Sequence, residues 1–224
     1  MFKKWMAIFK KDTLMDHAYQ RSYDMLDITL EMFREARESL RNRDDSEIDL
    51  GLKDKDKEVN SYEREVRRMV FKHLVLRGTT GLSSGLALVS IIIDIERIGD
   101  YTKNMVELAL DHPGRLTGGR FEEDLVRMEE GVEDNFIQTK KCFIEGDDVL
   151  ALELLEKYAW INDTCDDRVR DVVQEKDPSI RSSDAAALAL YIRFLKRVNS
   201  HLRNITTSVS NPFDRIGFNP KEKH

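Results

Sequence analysis

The chain has 224 residues, of which 35% are charged and 41% hydrophobic, with only 4 Pro and 11 Gly. This composition favours long helices with charged surfaces over sheet, and the length is sufficient to bury a substantial core. The net charge of −6 argues against a general nucleic-acid-binding protein, and two cysteines, Cys142 and Cys165, are too few for a disulfide framework or a thiolate zinc site, which indicates a reducing, cytoplasmic setting.

The first segment, residues 1–12, reads MFKKWMAIFKKD. As a helix it would place apolar and basic side chains on opposite sides, an arrangement typical of contact with a membrane surface or a partner. The residues concerned are Phe2, Lys3, Lys4, Trp5, Phe9, Lys10 and Lys11. A cap on the body of the protein is the alternative. The chain's most apolar run, LALVSIII, is far shorter than the ~20 residues of a membrane span.

Apolar residues repeating with a period of 3.6 predict three helices in the first half, at about residues 13–43, 47–76 and 82–110. The sequence RGTTGLSSG separates the second helix from the third. On the third helix, Leu82, Leu86, Val89 and Ile93 form one apolar stripe, and we expect this stripe to face the core. A second apolar arc covers the other side of the helix through Leu88, Ile91, Ile95, Ile98 and Met105.

The sequence DHPGRLTGGR contains a linker at residues 112–120. Three further helices are predicted beyond it, within residues 121–210, and a nonhelical tail follows at 211–224. No stretch alternates with period 2. The prediction is therefore an all-α protein.

The two halves resemble one another. Paired aspartates precede the middle helix of each half, and that helix carries an aliphatic residue followed by Asn, at Val59-Asn60 and Ile161-Asn162. When the last helices are aligned on Arg97 and Arg197, Asn104 matches Asn204. We therefore predict two tandem antiparallel three-helix bundles, residues 13–111 and 121–210.

Acidic residues continue the first stripe of the third helix. Glu96, Asp100 and Asn104 are spaced four apart, and Gly99 lies between the two acids, where something could approach closely. A second row, Asp56, Asn60 and Glu63, follows the second helix. If these helices pack side by side, the rows face each other, and their oxygen atoms suit Mg²⁺, Mn²⁺ or iron. The alternative is that both rows are solvated helix faces.

Nothing in the sequence indicates catalysis. His17, His73, His112, His201 and His224 are scattered, and none completes a Glu-x-x-His pair. The chain also lacks a glycine-rich phosphate loop and a Ser-His-Asp set. We expect Cys142 and Cys165 to be buried thiols.

The segments DIERIGDYTKNMVELAL and DKDKEVNSYEREV resemble the signatures of the PhoU family. The resemblance implies a six-helix, two-repeat fold and a non-enzymatic regulator of phosphate uptake and phosphate-dependent signalling. It also implies a cytoplasmic homodimer that contacts phosphate transporter components and a sensor kinase at the inner face of the membrane.

Some family members bind metal ions, often iron clusters, through acidic pairs on neighbouring helices. By resemblance the pairs here are Glu96 with Asp100 and Asp56 with Asn60; Glu63 and Asn104 are additional candidates. The second repeat departs from this pattern, because Lys196, Ser200 and Tyr158 stand at the positions of Glu96, Asp100 and Asp56. We therefore predict a metal site in the first repeat alone and a structural or partner-binding second repeat.

These departures favour a divergent paralogue associated with a different ion transporter. A second alternative is a carboxylate-bundle protein that stores metal or hydrolyses a substrate with it.

Overall fold

A computed structural model describes residues 13–42, 51–112, 114–218 and 220. The described residues form seven α-helices and no strand. The helices are α1 (Thr13–Arg41), α2 (Gly51–Arg77), α3 (Leu82–Asp111), α4 (Glu122–Glu145), α5 (Asp148–Lys157), α6 (Ala159–Val173) and α7 (Ser182–Ser210). Short 3-10 helices cover Gly119–Phe121 and Phe213–Arg215. The predicted all-α class is confirmed.

The fifth predicted helix is interrupted at Tyr158, which separates α5 from α6. Tyr158 has backbone angles of φ −105° and ψ 10°, outside the helical range, although its N–H still bonds to Leu154 O at 3.1 Å. Its ring is buried, at 2% exposure, and its hydroxyl donates to Asp134 on α4. Tyr158 thus contacts α4 from the junction of α5 and α6, and these two helices together occupy one helical position in the bundle.

The connection between α4 and α5 follows from its sequence, EGDD. Gly146 ends α4 in the left-handed conformation, with φ 60°, and its N–H bonds to Cys142 O. The Asp147 side chain then accepts from the N–H groups of Val149 and Leu150, which satisfies donors that a helix start leaves without partners.

Antiparallel packing of α1 and α2 is visible in their ion pairs. Arg21 pairs with Glu65 at 3.2 Å, and Lys55 pairs with Glu35 at 2.6 Å, so the start of α1 lies beside the end of α2. α3 packs on both helices and completes the first bundle. α4, α5, α6 and α7 form the second bundle in the same way, with α7 in contact with the other three.

The predicted linker is held firmly between the two bundles. Leu116 is fully buried, and its N–H bonds to Leu40 O at 2.9 Å. Arg41 donates to Leu116 O and Glu122, and it pairs with Glu129 at 2.9 Å. Glu129 also accepts from the hydroxyl of the buried Tyr191 on α7, at 2.7 Å. The end of α1, the linker, α4 and α7 therefore meet at one buried polar cluster.

Both cysteines are free and buried, as predicted. Burial raises the pKa of Cys142 and of Cys165 to about 12, so both thiols stay protonated and unreactive at neutral pH.

No helix among the described residues is both long and apolar enough to cross a membrane. The predicted membrane- or partner-contacting side chains, Phe2, Lys3, Lys4, Trp5, Phe9, Lys10 and Lys11, lie outside the described residues.

Candidate functional site

The two predicted polar rows do lie across the same helix pair. α2 packs against α3, and the pKa of the Glu96 carboxyl on α3 is influenced by Asp56 and Glu63 on α2. We call this group the carboxylate seam: Asp56, Asn60 and Glu63 on α2 with Glu96, Asp100 and Asn104 on α3. Glu63, Glu96 and Asp56 are 13%, 18% and 19% exposed, and Asp100 is 32% exposed. The seam is thus partly buried and open to solvent at one side.

The seam does not continue the core face of α3, contrary to our expectation. Leu82, Leu86 and Ile93 are 37–40% exposed, whereas the second arc, from Leu88 to Met105, is buried. α3 turns this second arc towards its neighbours because α1, α2 and α7 all pack on it. The acids therefore sit at the rim of the helix interface and not in its core.

Gly99 is also not a point of close approach beside the acids. A side chain added there would meet Thr29 and Val59 at 3.7 Å, which is ordinary van der Waals contact with α1 and α2. The glycine is buried and faces α1 and α2.

Cationic side chains compensate much of the charge in the seam. Lys103 Nζ lies 3.7 Å from both Asp56 Oδ2 and Asp100 Oδ1 and so bridges the two helices. Arg97 lies 3.4 Å from Asp100 and 3.8 Å from Glu96. Arg67 pairs with Glu63 at 2.8 Å. Four carboxylates thus face three cationic side chains.

The arrangement of charges in the seam disfavours ionisation of Glu96. Partial burial raises its pKa, and the nearby carboxylates of Asp100, Glu63 and Asp56 raise it further, while Arg97 lowers it. The proton is thus held more tightly in the folded protein than in the unfolded chain. The fold therefore disfavours the ionised form of Glu96.

The seam has the donor chemistry of a hard-cation site but not its geometry. In the part of the chain that the structure describes, no three His, Cys, Asp or Glu side chains converge closely enough to hold a metal ion. Asn60 turns its amide N–H₂ to Asp56 O on its own helix, at 2.9 Å, and the Lys103 ammonium lies between two of the acids. As described, the seam is a charge-compensated contact between helices.

The equivalent seam of the second repeat is largely neutral. Asn162 on α6 donates to Ser200 on α7 at 3.2 Å and accepts from Asn199 at 3.0 Å. Asn199 in turn accepts from the buried Asn135 on α4 at 2.8 Å. Lys196, at the position of Glu96, pairs with Asp166. The second repeat keeps the helix contact and replaces the acids with an amide and hydroxyl network.

Asp94 was not among the predicted site residues, and the structure gives it a different role from the one its spacing indicates. The sequence places Arg97 within its reach, yet Asp94 Oδ1 lies 2.7 Å from His201 Nδ1 and accepts from Asn204 Nδ2 at 2.8 Å. It therefore joins α3 of one repeat to α7 of the other. The sequence signal for Asp94 was the acidic residue at the start of DIERIGD. Spacing along one helix does not reveal that its partners lie on another helix.

Comparison with known proteins agrees with this architecture. The crystal structure of PhoU from Pseudomonas aeruginosa superposes with a TM-score of 0.79 at 20% identity, covering 88% of this chain and 96% of that one. The phosphate transport system regulatory protein PhoU from Streptococcus pneumoniae superposes with a TM-score of 0.78 at 18% identity, covering 88% and 94%. No curated protein sequence matches the chain.

The PhoU domain model matches residues 23–109, which span most of α1 together with α2 and most of α3. The match includes every residue of the carboxylate seam. The predicted resemblance to the PhoU family is thus confirmed: residues 23–109 match the PhoU domain model, and the chain has the fold of solved PhoU proteins.

Proposed function

We propose that the protein is a non-enzymatic regulator of phosphate uptake and phosphate-dependent signalling. The observation that carries the proposal is the PhoU domain at residues 23–109, set in a fold shared with a phosphate transport system regulatory protein over 88% of the chain. In this role the protein is a cytoplasmic adaptor, active as a homodimer, between a phosphate transporter and a sensor kinase. A different ion transporter is the alternative partner.

The arrangement of the described residues suits an adaptor better than a catalyst. Its polar clusters are ion pairs and hydrogen-bond networks that join helices, such as Arg41 with Glu129 and Asp94 with His201. Both thiols are buried and protonated at neutral pH. These contacts fix the relative positions of the helices, which is what a binding surface requires.

The test is deletion of the gene in its host, with measurement of phosphate uptake and of a reporter for phosphate starvation. We expect both to rise in phosphate-replete medium and to return to normal on complementation. Unchanged phosphate uptake, together with altered uptake of another ion, would indicate that the protein regulates a different transporter. Turnover of a phosphate ester by the purified protein, lost in Glu96→Gln and Asp100→Asn, would support a metal-dependent hydrolase instead.

We also propose that a divalent metal ion, such as Mg²⁺, Mn²⁺ or iron, competes with Lys103 for the seam. The supporting observation is that four carboxylates of the partly buried seam share three cationic side chains, with Lys103 Nζ 3.7 Å from both Asp56 and Asp100. The candidate ligands are Asp56, Glu96 and Asp100, with Asn60, Glu63 and Asn104 near them. Because Lys103 lies between Asp56 and Asp100, a cation must displace its ammonium group.

This mechanism predicts that Lys103→Met strengthens binding of Mn²⁺, measured by titration calorimetry, by at least about tenfold, because a competing charge at ~4 Å is removed. Lys57→Met is the matched control, since Lys57 is exposed on α2 and pairs with Asp54 outside the seam. Equal affinities for the wild type and both variants would remove the seam from consideration as a metal site.

A further inference from the structure

The last turns of α2 carry large apolar side chains that face solvent. Phe71, Val75 and Leu76 are 68%, 66% and 73% exposed, well above other apolar residues of the same helix. Buried residues of this part of α2, Val66, Val70 and His73, lie on its other face. The exposed residues thus point away from the bundle and contribute nothing to its core.

Basic side chains share this face. Arg68, Phe71, Lys72, Val75 and Leu76 are spaced i, i+3, i+4, i+7 and i+8, which puts them on one side of the helix. Arg68 and Lys72 are exposed. We call this surface the basic tip: Arg68, Phe71, Lys72, Val75 and Leu76.

The charge of the basic tip is opposite to that of the protein. Residues 66–93, which contain the end of α2 and the first part of α3, include no Asp or Glu, although the chain has 42 acidic residues and a net charge of −6. A locally positive surface on an acidic protein attracts an acidic partner and is screened by salt.

Two other described parts of the chain reach the same end of the molecule. Because α1 and α2 are antiparallel, the start of α1 lies beside the end of α2. α7 runs antiparallel to α3, with Asp94 beside Asn204 and Tyr101 beside Phe194. The tail after α7 therefore packs on the early part of α3, where Phe213 and Phe218 are 42% and 57% exposed.

Charge complementarity decides what covers the basic tip. The N-terminal segment has four lysines before Asp12 and would be repelled. A second copy in a twofold contact would bring the same basic residues of both copies together, which is equally unfavourable. An anionic lipid surface offers negative headgroups for the basic side chains and an apolar boundary for Phe71, Val75 and Leu76.

We propose that the basic tip docks the protein on an anionic lipid bilayer. Arg68 and Lys72 bind the headgroups, while Phe71, Val75 and Leu76 enter the boundary between headgroups and acyl chains. The proposal rests on the proposed function, since it supplies the surface through which a regulator of a membrane transporter reaches the bilayer. The basic tip is a contact surface on α2, in addition to the membrane or partner contact predicted for residues 1–12.

Co-sedimentation with vesicles tests this. The full chain is expected to bind vesicles of phosphatidylglycerol and phosphatidylcholine, to bind pure phosphatidylcholine weakly, and to dissociate as salt rises. The double variant Arg68→Glu/Lys72→Glu is expected to bind at least about tenfold more weakly. The matched control is Lys53→Glu/Lys57→Glu, which makes the same charge change at exposed positions four apart near the other end of α2.

The contribution of the apolar residues of the basic tip is tested with a separate variant. Phe71→Ser/Val75→Ser is expected to weaken binding, whereas Val149→Ser/Leu152→Ser, which alters an exposed pair on α5, is expected to have no effect. Circular dichroism verifies that each variant is folded.

Full vesicle binding by both tip variants overturns the proposal. So does an equal loss in the controls, or loss of binding only when Lys3 and Lys4 are replaced. If the tip variants bind vesicles normally but lose a transporter subunit, the surface serves a protein partner and the lipid proposal fails. None of these results bears on the uptake phenotype of the gene deletion, which tests the proposed function separately.

Discussion

Asp94 on α3 contacts His201 on α7. The equivalent positions of the two repeats, Phe194 on α7 and Tyr101 on α3, also contact each other. In the alignment of the repeats, position 94 corresponds to 194 and position 101 to 201. Asp94 Oδ1 lies 2.7 Å from His201 Nδ1, and the rings of Tyr101 and Phe194 are 6.2 Å apart. The two long helices therefore meet about a pseudo-twofold axis, with an acid and an imidazole on one side of it and two aromatic rings on the other.

The polar half of this contact predicts the effect of Asp94→Ala. The substitution leaves His201 and Asn204 without their shared acceptor at a partly buried position, so we expect the free energy of unfolding in urea to fall by about 1–3 kcal/mol. Asp111→Ala, an exposed site at the end of the same helix, is the control and should change it little. In a double-mutant cycle, Asp94→Ala and His201→Ala should be non-additive; strict additivity would show that the pair does not couple the repeats.

A pH dependence follows from Glu96. Its pKa is raised in the folded protein, so the ionised carboxylate opposes folding at pH values above that pKa. Glu96→Gln should therefore raise the free energy of unfolding at pH 7, by about 0.2–0.5 kcal/mol for each like-charge neighbour relieved. The gain should disappear as the pH falls through the folded and then the unfolded pKa, where wild-type Glu96 is itself neutral.

Urea unfolding at several pH values measures this difference. Glu107→Gln makes the same change at an exposed position of α3 and should show no comparable gain at pH 7. A loss of stability in Glu96→Gln at pH 7 would mean that Arg97 stabilises the carboxylate more than burial and the neighbouring acids disfavour it.

Periodicity predicted the helices well because apolar spacing depends only on local geometry. It could not predict which of two apolar arcs of α3 is buried, since Leu86 and Ile91 are equally apolar and the choice is made by the packing of α1, α2 and α7. The break at Tyr158 was also missed. Tyr158 contacts Asp134, which is 24 residues away in sequence, and apolar spacing contains no information about this contact.

The sequence predicted which residues form the carboxylate seam, but it did not predict how their charges are compensated. The spacing of Asp56, Glu63, Glu96 and Asp100 placed them on one helix pair, and the structure brings them together. The bridging position of Lys103 depends on the register between α2 and α3, which single-helix spacing does not contain. The basic tip had a sequence signal, the acid-free stretch 66–93, that becomes meaningful only once Phe71 and Val75 are known to be exposed.

The cluster around Arg41 predicts a large loss of stability. The Arg41 side chain is 8% exposed and pairs with Glu129, whose side chain is 7% exposed and whose carboxylate also accepts from Tyr191. Arg41→Met leaves Glu129 as a buried charge, and burial raises the pKa of Glu129 even when the arginine is present. We expect the free energy of unfolding to fall by about 3–5 kcal/mol.

The control for this variant is Arg34→Met. Arg34 pairs with Glu133 between α1 and α4 but is 47% exposed, so its removal should cost no more than about 1 kcal/mol. Adding Glu129→Gln to Arg41→Met should recover part of the loss, because the buried charge is removed. A double variant as unstable as Arg41→Met alone would locate the cost in the lost contact with Leu116.

Two helical glycines should respond in opposite ways to alanine. At Gly99 the new methyl group meets Thr29 and Val59 at 3.7 Å, so Gly99→Ala should raise the free energy of unfolding by up to about 1 kcal/mol through helix propensity. At Gly131 on α4 it meets Trp160 at 2.9 Å and Ile161 at 3.1 Å, and the Trp160 ring is held under Arg127 at 4.1 Å. Gly131→Ala should therefore cost about 1–3 kcal/mol through overpacking. Urea unfolding of both variants measures the contrast, and a destabilised Gly99→Ala would show that crowding against Thr29 and Val59 outweighs the gain in helix propensity.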